Sequence, residues 1–226
     1  MVMEEQTAPV SLLERRLKTA GVPAFAAEKR TFESFIPSSG SMSALAACKK
    51  FVTDAREHPF LTLAGECGRG KSHLAIAALQ SFLAGLPPDT SNLSPTGIVT
   101  GAPRVAPHAV YFQVEHLLDE LRRTFDKNCA PGEFDRLMTR LCECELLILD
   151  DLGVENGSDW TKAKLDEIVE DRYFNERMTI VTTNVTASQL SPRVASRLQE
   201  GVTIVIDGLD YRHVKATERN KTKRCA

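Results

Sequence analysis

The 226-residue chain has no apolar run long enough to cross a membrane. Its longest runs, such as Leu146-Leu147-Ile148-Leu149, fall far short of the ~20 residues that a spanning helix needs. The first residues, Met1 to Pro9, carry Glu4 and Glu5 and lack the apolar stretch of a secretory leader. Both absences lead us to expect a cytoplasmic protein with no membrane contact. Six cysteines stand at positions 48, 67, 129, 142, 144 and 225, and none has the C-x2-C spacing of a structural zinc site. Small thiols in a reducing compartment are expected instead. A strong net charge is missing too: the formal value is −2, which excludes wholesale coating of a polyanion and confines any DNA contact to local patches.

What is present is an ordinary globular balance, 42% apolar and 26% charged, in a length suited to one α/β domain with short appendages. Leu12, Leu13 and Leu17 mark an amphipathic helix over 11–20 with Ser11 as N-cap, ended by Gly21-Val22-Pro23. A second helix is expected over 43–55, broken by His58-Pro59. Strands are then expected at 60–64, 110–113, 146–149, 178–183 and 202–206. Helices are expected at 71–84, 114–123, 133–141, 160–177 and 189–198, the last interrupted near Pro192. In the 160–177 segment Leu165, Ile168, Val169 and Tyr173 share one face. This alternation implies a parallel sheet covered on both faces, a three-layer α/β fold. The expected organisation is a helical arm and linker over 1–40, a core over 41–215 and a basic tail over 216–226. Within the core, 87–108 is rich in Pro, Ser, Thr and Gly and reads as a flexible insertion.

Gly65-Glu66-Cys67-Gly68-Arg69-Gly70-Lys71-Ser72 matches G-x4-G-K-[ST] between an expected strand and an expected helix. In this P-loop, glycines let the backbone wrap phosphates, Lys71 reaches the β- and γ-phosphates of ATP, and the Ser72 hydroxyl ligates Mg²⁺. Arg69 and His73 are counted with the loop as nucleotide-facing. The apolar strand ending in Asp150-Asp151 has the form of a Walker B segment. Asp150 is then the magnesium residue and Asp151 the carboxylate that activates water. Asp is one methylene shorter than the more usual Glu, so slow hydrolysis is expected. Asn184 ends the next strand, where it is either a turn residue or a group that orients water beside Asp150.

With these motifs in place the chain resembles the AAA+ ATPases of the bacterial helicase-loader group, the DnaC and DnaI type, with IstB transposition helpers as relatives. The resemblance runs from about Gly21 to Lys215. It includes Gly21-Val22-Pro23, Thr31-Phe32-Glu33-Ser34-Phe35, the P-loop, the Leu117 to Phe125 segment and Leu149-Asp150-Asp151-Leu152-Gly153. Thr182-Thr183-Asn184, Arg193-Val194-Ala195-Ser196-Arg197-Leu198 and Asp207-Gly208-Leu209-Asp210-Tyr211-Arg212 complete it. It implies a P-loop NTPase (AAA+) fold with a mostly parallel sheet and no separate lid domain. It further implies a homo-oligomer with ATP at subunit interfaces, Arg197 as an arginine finger acting in trans with Arg193 beside it, and Arg212 as a sensor arginine. The implied partners are the replicative hexameric DNA helicase and single-stranded DNA; the alternative is an IstB-like helper acting on duplex DNA and a transposase. Phe125, Ser158 and Trp160 fall in the loops through which loaders touch single strands, although Phe125 and Trp160 read equally well as core contacts at helix ends. Glu66, Cys67 and Arg69 stand where the family usually carries Pro or Gly and Thr. The N-terminal region also lacks the cysteine cluster of DnaI-type helicase-binding domains.

Overall fold

A computed structural model describes residues 11–53, 57–88, 107–126, 129–153, 159–208 and 210–211. Three helices lead in: α1 (Leu12–Ala20), α2 (Ala24–Lys29) and α3 (Met42–Phe51). The alternating part follows as β1 (Phe60–Ala64), α4 (Lys71–Gly85), β2 (Ala109–Gln113), α5 (Val114–Arg123), α6 (Glu133–Glu143), β3 (Leu146–Leu152), α7 (Asp159–Phe174), β4 (Met178–Thr183), α8 (Pro192–Glu200) and β5 (Val202–Val205). The strands form one sheet in the order β2-β3-β4-β1-β5, every neighbouring pair parallel. The period of two along each strand sorts side chains between two cores. Leu61, Leu63, Tyr111, Leu146, Ile148 and Ile180 face α1, α3 and α4. Phe60, Val110, Leu147, Leu149 and Val181 face α5 to α8. The three-layer α/β expectation is met.

The boundaries show local chemistry that the sequence pattern misses. Pro192 does not interrupt a helix but opens one: its fixed φ and missing N–H suit the first helical turn, and the Ser191 hydroxyl caps it by accepting from the Val194 N–H at 3.2 Å. Gln189 belongs instead to a 3₁₀ turn (Ala187–Gln189). Helix α3 stops at Phe51 and α7 at Phe174, earlier than expected. Strand β3 runs on through both acids to Leu152, with a register shift against β4 between Leu149 and Leu152. Helix α2, too short to show a periodicity, was not foreseen.

The arm packs into the same core as the sheet: Leu17, Ala20, Val22, Ala26 and Phe35 join the cluster around α4. Ser11 and Glu14 form a reciprocal capping box on α1. Buried Arg16 donates to the carbonyls of Leu83, Leu86 and Pro87, capping the C-terminus of α4. On the other side, fully buried Arg172 donates to the Leu141, Cys144 and Met178 carbonyls and to the Thr179 hydroxyl, tying α7 to the end of α6 and the start of β4. Most of the expected insertion and all of the basic tail lie outside the described residues.

Candidate nucleotide site

The P-loop leaves the C-terminal end of β1, a central strand. Three of its glycines have positive φ: 143° at Gly65, 79° at Gly68 and 87° at Gly70. A side chain would be strained at each and would also collide. At Gly70 a Cβ would stand 2.8 Å from the Phe35 ring, and at Gly68 it would stand 2.0 Å from the Asp210 carboxylate. Lys71, 5% exposed, donates from Nζ to the Gly65 carbonyl at 2.7 Å and the Glu66 carbonyl at 2.9 Å. Its ammonium is thereby folded into the loop at the N-terminus of α4. Arg69 pairs with Glu66 at 2.6 Å through Nη2, while its buried Nη1 has no hydrogen-bond partner among the described residues. A buried guanidinium N–H without an acceptor is costly. An anionic oxygen in the cradle matches it, so these residues fit a nucleotide phosphate.

Opposite the loop, the register shift in β3 turns consecutive acids in different directions. Asp150 is 1% exposed; its Oδ1 accepts from the Thr182 hydroxyl at 2.6 Å and its Oδ2 from the Tyr111 hydroxyl at 2.8 Å. Burial, followed by the Asp150 charge, pushes the Tyr111 phenol well above its usual range, so it remains a donor. Asp151 sits at φ 60°, a left-handed conformation uncommon outside glycine, and its N–H donates to the same Thr182 hydroxyl at 2.9 Å. It lines a cleft of about 200 Å³ with Arg30 and residues 67–73. Among the described residues no group of three or more His, Cys, Asp or Glu is arranged to hold a metal. Ser72 lines the cleft while Asp150 lies buried behind Asp151, and a hydroxyl and a carboxylate are donor types that suit an ion keeping several waters and taking phosphate oxygens, as magnesium does.

Asn184 closes β4 beside the P-loop, with Nδ2 3.6 Å from the Cys67 sulfur. His73 lines the cleft, yet its Nε2 lies 2.8 Å from the Thr31 carbonyl and its ring meets Phe35 edge-on at 5.2 Å, so the imidazole also ties the arm to α4. Arg212 lies outside the described residues. The residues just before it rest on the P-loop, with the Tyr211 N–H donating to the Gly68 carbonyl at 3.1 Å. Sequence reasoning missed Thr182, Tyr111 and Arg30. Only strand order brings Thr182 and Tyr111 onto Asp150, and only arm docking brings Arg30 to the cleft, although the strand-end position of Thr182, two residues before Asn184, is a usable signal.

Arg197 stands away from this cleft. Its guanidinium lies 4.2 Å from the Tyr173 ring centroid and pairs with Glu200 at 3.1 Å and Glu170 at 3.6 Å. Tyr173 in turn meets His58 and Phe60, at the start of β1. The P-loop leaves the other end of that strand, about 15 Å away. Arg193, more exposed, is 3.8 Å from Glu170. Phe125 and Trp160, from the ends of different elements, meet edge-on at 5.0 Å, and Phe134 joins Phe125 at 5.4 Å. Phe125 is 62% exposed, whereas Trp160 is partly buried against the α5–α8 core. Ser158 lies outside the described residues.

A five-stranded parallel sheet with a glycine-rich phosphate loop after the interior strand β1, and two acids on β3 on the other side of β4, defines an α/β protein of the P-loop NTPase class. The model of the IstB-like ATP binding protein family matches residues 97–219, more than half of the sequence, and the chain belongs to that family. Among curated proteins, the replicative helicase loader DnaC of Escherichia coli K12 is 24% identical over 173 residues. That match covers 75% of this chain but only 61% of the relative's length. Among solved structures, the crystal structure of a DnaC helicase loader is 26% identical with a TM-score of 0.62, over 81% of this chain and all of that one. AMPPCP-bound DnaA from Aquifex aeolicus, 20% identical, has a TM-score of 0.64 over 86% of this chain and 55% of its own, and shares the fold.

Proposed function

We propose that the protein binds and slowly hydrolyses ATP at subunit interfaces of a homo-oligomer, and that it uses this cycle to load or remodel a replicative DNA helicase on single-stranded DNA. The observation that carries the nucleotide part is Asp151, which lines a cleft with Lys71 and Ser72 and is joined to the buried Asp150 through one threonine hydroxyl. Ser72 and Asp150 would hold magnesium, which when bound offsets charge on the phosphate oxygens. Asp151, at the mouth of the cleft, accepts the proton of the attacking water, and Asn184 orients that water. The position of Arg197 near the end of β1 opposite to its own P-loop supports a role in trans, completing a neighbour's site.

The choice of partner rests on the similarity to DnaC. Phe125 offers an exposed stacking face beside Arg122 and Arg123, with Trp160 behind it, and so supports contact with a single strand. The matching family model favours the second reading, a transposition helper on duplex DNA. Two measurements test the proposal. Lys71→Ala is expected to abolish ATP binding and Asp150→Asn to retain binding while losing magnesium-dependent turnover; wild-type affinity in Lys71→Ala overturns the nucleotide site. Pull-down of the host replicative helicase, with and without ATP, is expected to succeed; its failure alongside ATP-dependent filaments on duplex DNA favours the transposition reading.

A further inference from the structure

Arg30 is the only cation in the nucleotide cleft that comes from outside the P-loop and the start of α4 among the described lining residues. It ends α2, and its backbone is pinned from two sides. The Arg30 N–H donates to the Ala26 carbonyl at 3.0 Å, and the Arg30 carbonyl accepts from Gln80 Nε2, on α4, at 2.8 Å. The same Gln80 amide donates to the Ala27 carbonyl at 2.9 Å. One residue further on, the Thr31 carbonyl is held by His73, and the Phe35 ring closes over Gly70. The arm is thereby fastened to the helix that carries Lys71, with Arg30 fixed relative to the P-loop.

Its side chain lines the cleft with Asp151, and its charge acts on the Tyr111 phenol. It is half-buried, and among the described residues it makes no ion pair and no side-chain hydrogen bond. A guanidinium held in a phosphate cleft without a carboxylate partner matches a phosphate oxygen pair, which it can grip through two N–H groups.

We propose that Arg30 binds the terminal phosphate of ATP in cis, so that the N-terminal arm distinguishes ATP from ADP. This rests on the ATP-site reading above. The test is the affinity of the full chain for MgATP and MgADP, measured by calorimetry on wild type, Arg30→Ala, Arg30→Gln and Arg30→Lys, with thermal melting as the check on folding. Lys71→Ala serves as the control for the site itself. Arg30→Ala and Arg30→Gln are expected to weaken MgATP at least tenfold and leave MgADP within twofold, while Arg30→Lys keeps part of the preference. Unchanged MgATP affinity, or an equal loss for both nucleotides in variants that melt like wild type, overturns the assignment. If Lys71→Ala binds both nucleotides like wild type, the ATP site itself is wrong, whatever Arg30 does.

Discussion

The Thr182 hydroxyl and the Asp150 carboxylate are 2.6 Å apart, and the same hydroxyl receives the Asp151 N–H at 2.9 Å. A hydroxyl has one hydrogen to donate and lone pairs to accept with, so this one group fixes the buried acid and the exposed acid together. Thr182→Val keeps the shape and deletes both bonds, leaving a buried carboxylate oxygen and a backbone N–H unsatisfied at a cost of about 1–3 kcal/mol. We expect ATP affinity within a few-fold of wild type, turnover reduced tenfold or more, and rescue by Thr182→Ser. Wild-type turnover in Thr182→Val would show that the hydroxyl does not organise the acids.

Arg197→Ala is expected to retain ATP binding and lose hydrolysis, because the guanidinium is far from its own cradle. The stability cost is expected to be small, about 1 kcal/mol, since its ion pairs are partly solvated and its stacking partner remains packed. Mixing Arg197→Ala with Asp150→Asn places an intact acid and an intact arginine at some interfaces and is expected to restore turnover. Absence of recovery at every mixing ratio counts against action in trans.

Phe125 and Trp160 touch but differ in burial, so they are expected to separate in their effects. Phe125→Ala is expected to leave the melting temperature nearly unchanged and to weaken single-strand binding by about 1–3 kcal/mol. Trp160→Ala removes a ring packed on the α5–α8 core and is expected to cost about 1–3 kcal/mol of stability as well. Binding titrations on a labelled oligonucleotide, paired with thermal melts, measure both; wild-type DNA binding in Phe125→Ala removes the stacking role.

Arg172 is a structural charge with no part in the cleft. Arg172→Met fills much of the space but leaves the Leu141, Cys144 and Met178 carbonyls without their donor. A loss of about 3–5 kcal/mol is expected from several buried acceptors at once, read as a lower denaturant midpoint. A midpoint within experimental error of wild type would mean that water replaces the guanidinium.

The P-loop, the Asp150-Asp151 pair and the strand-helix alternation were legible in the sequence because each is a local pattern. Glycines at set intervals permit positive φ, and apolar runs with periods of 2 or 3.6 dictate strand or helix whatever packs against them. Pro192 was misread as a break because the same ring that ends a helix from inside is well suited to starting one, and Ser191 was needed to decide between the two. The tertiary structure alone decided which residues share the cleft. Asp150 meets Thr182 and Tyr111 because β3 lies between β4 and β2, and Arg30 reaches the cleft because Gln80 and His73 fasten the arm to α4. It also decided that Arg197 stacks on Tyr173 near the start of β1 and that Phe125 meets Trp160. These contacts join residues tens of positions apart, and their partners are chosen by strand order and helix docking, which depend on the whole core rather than on any local run of side chains.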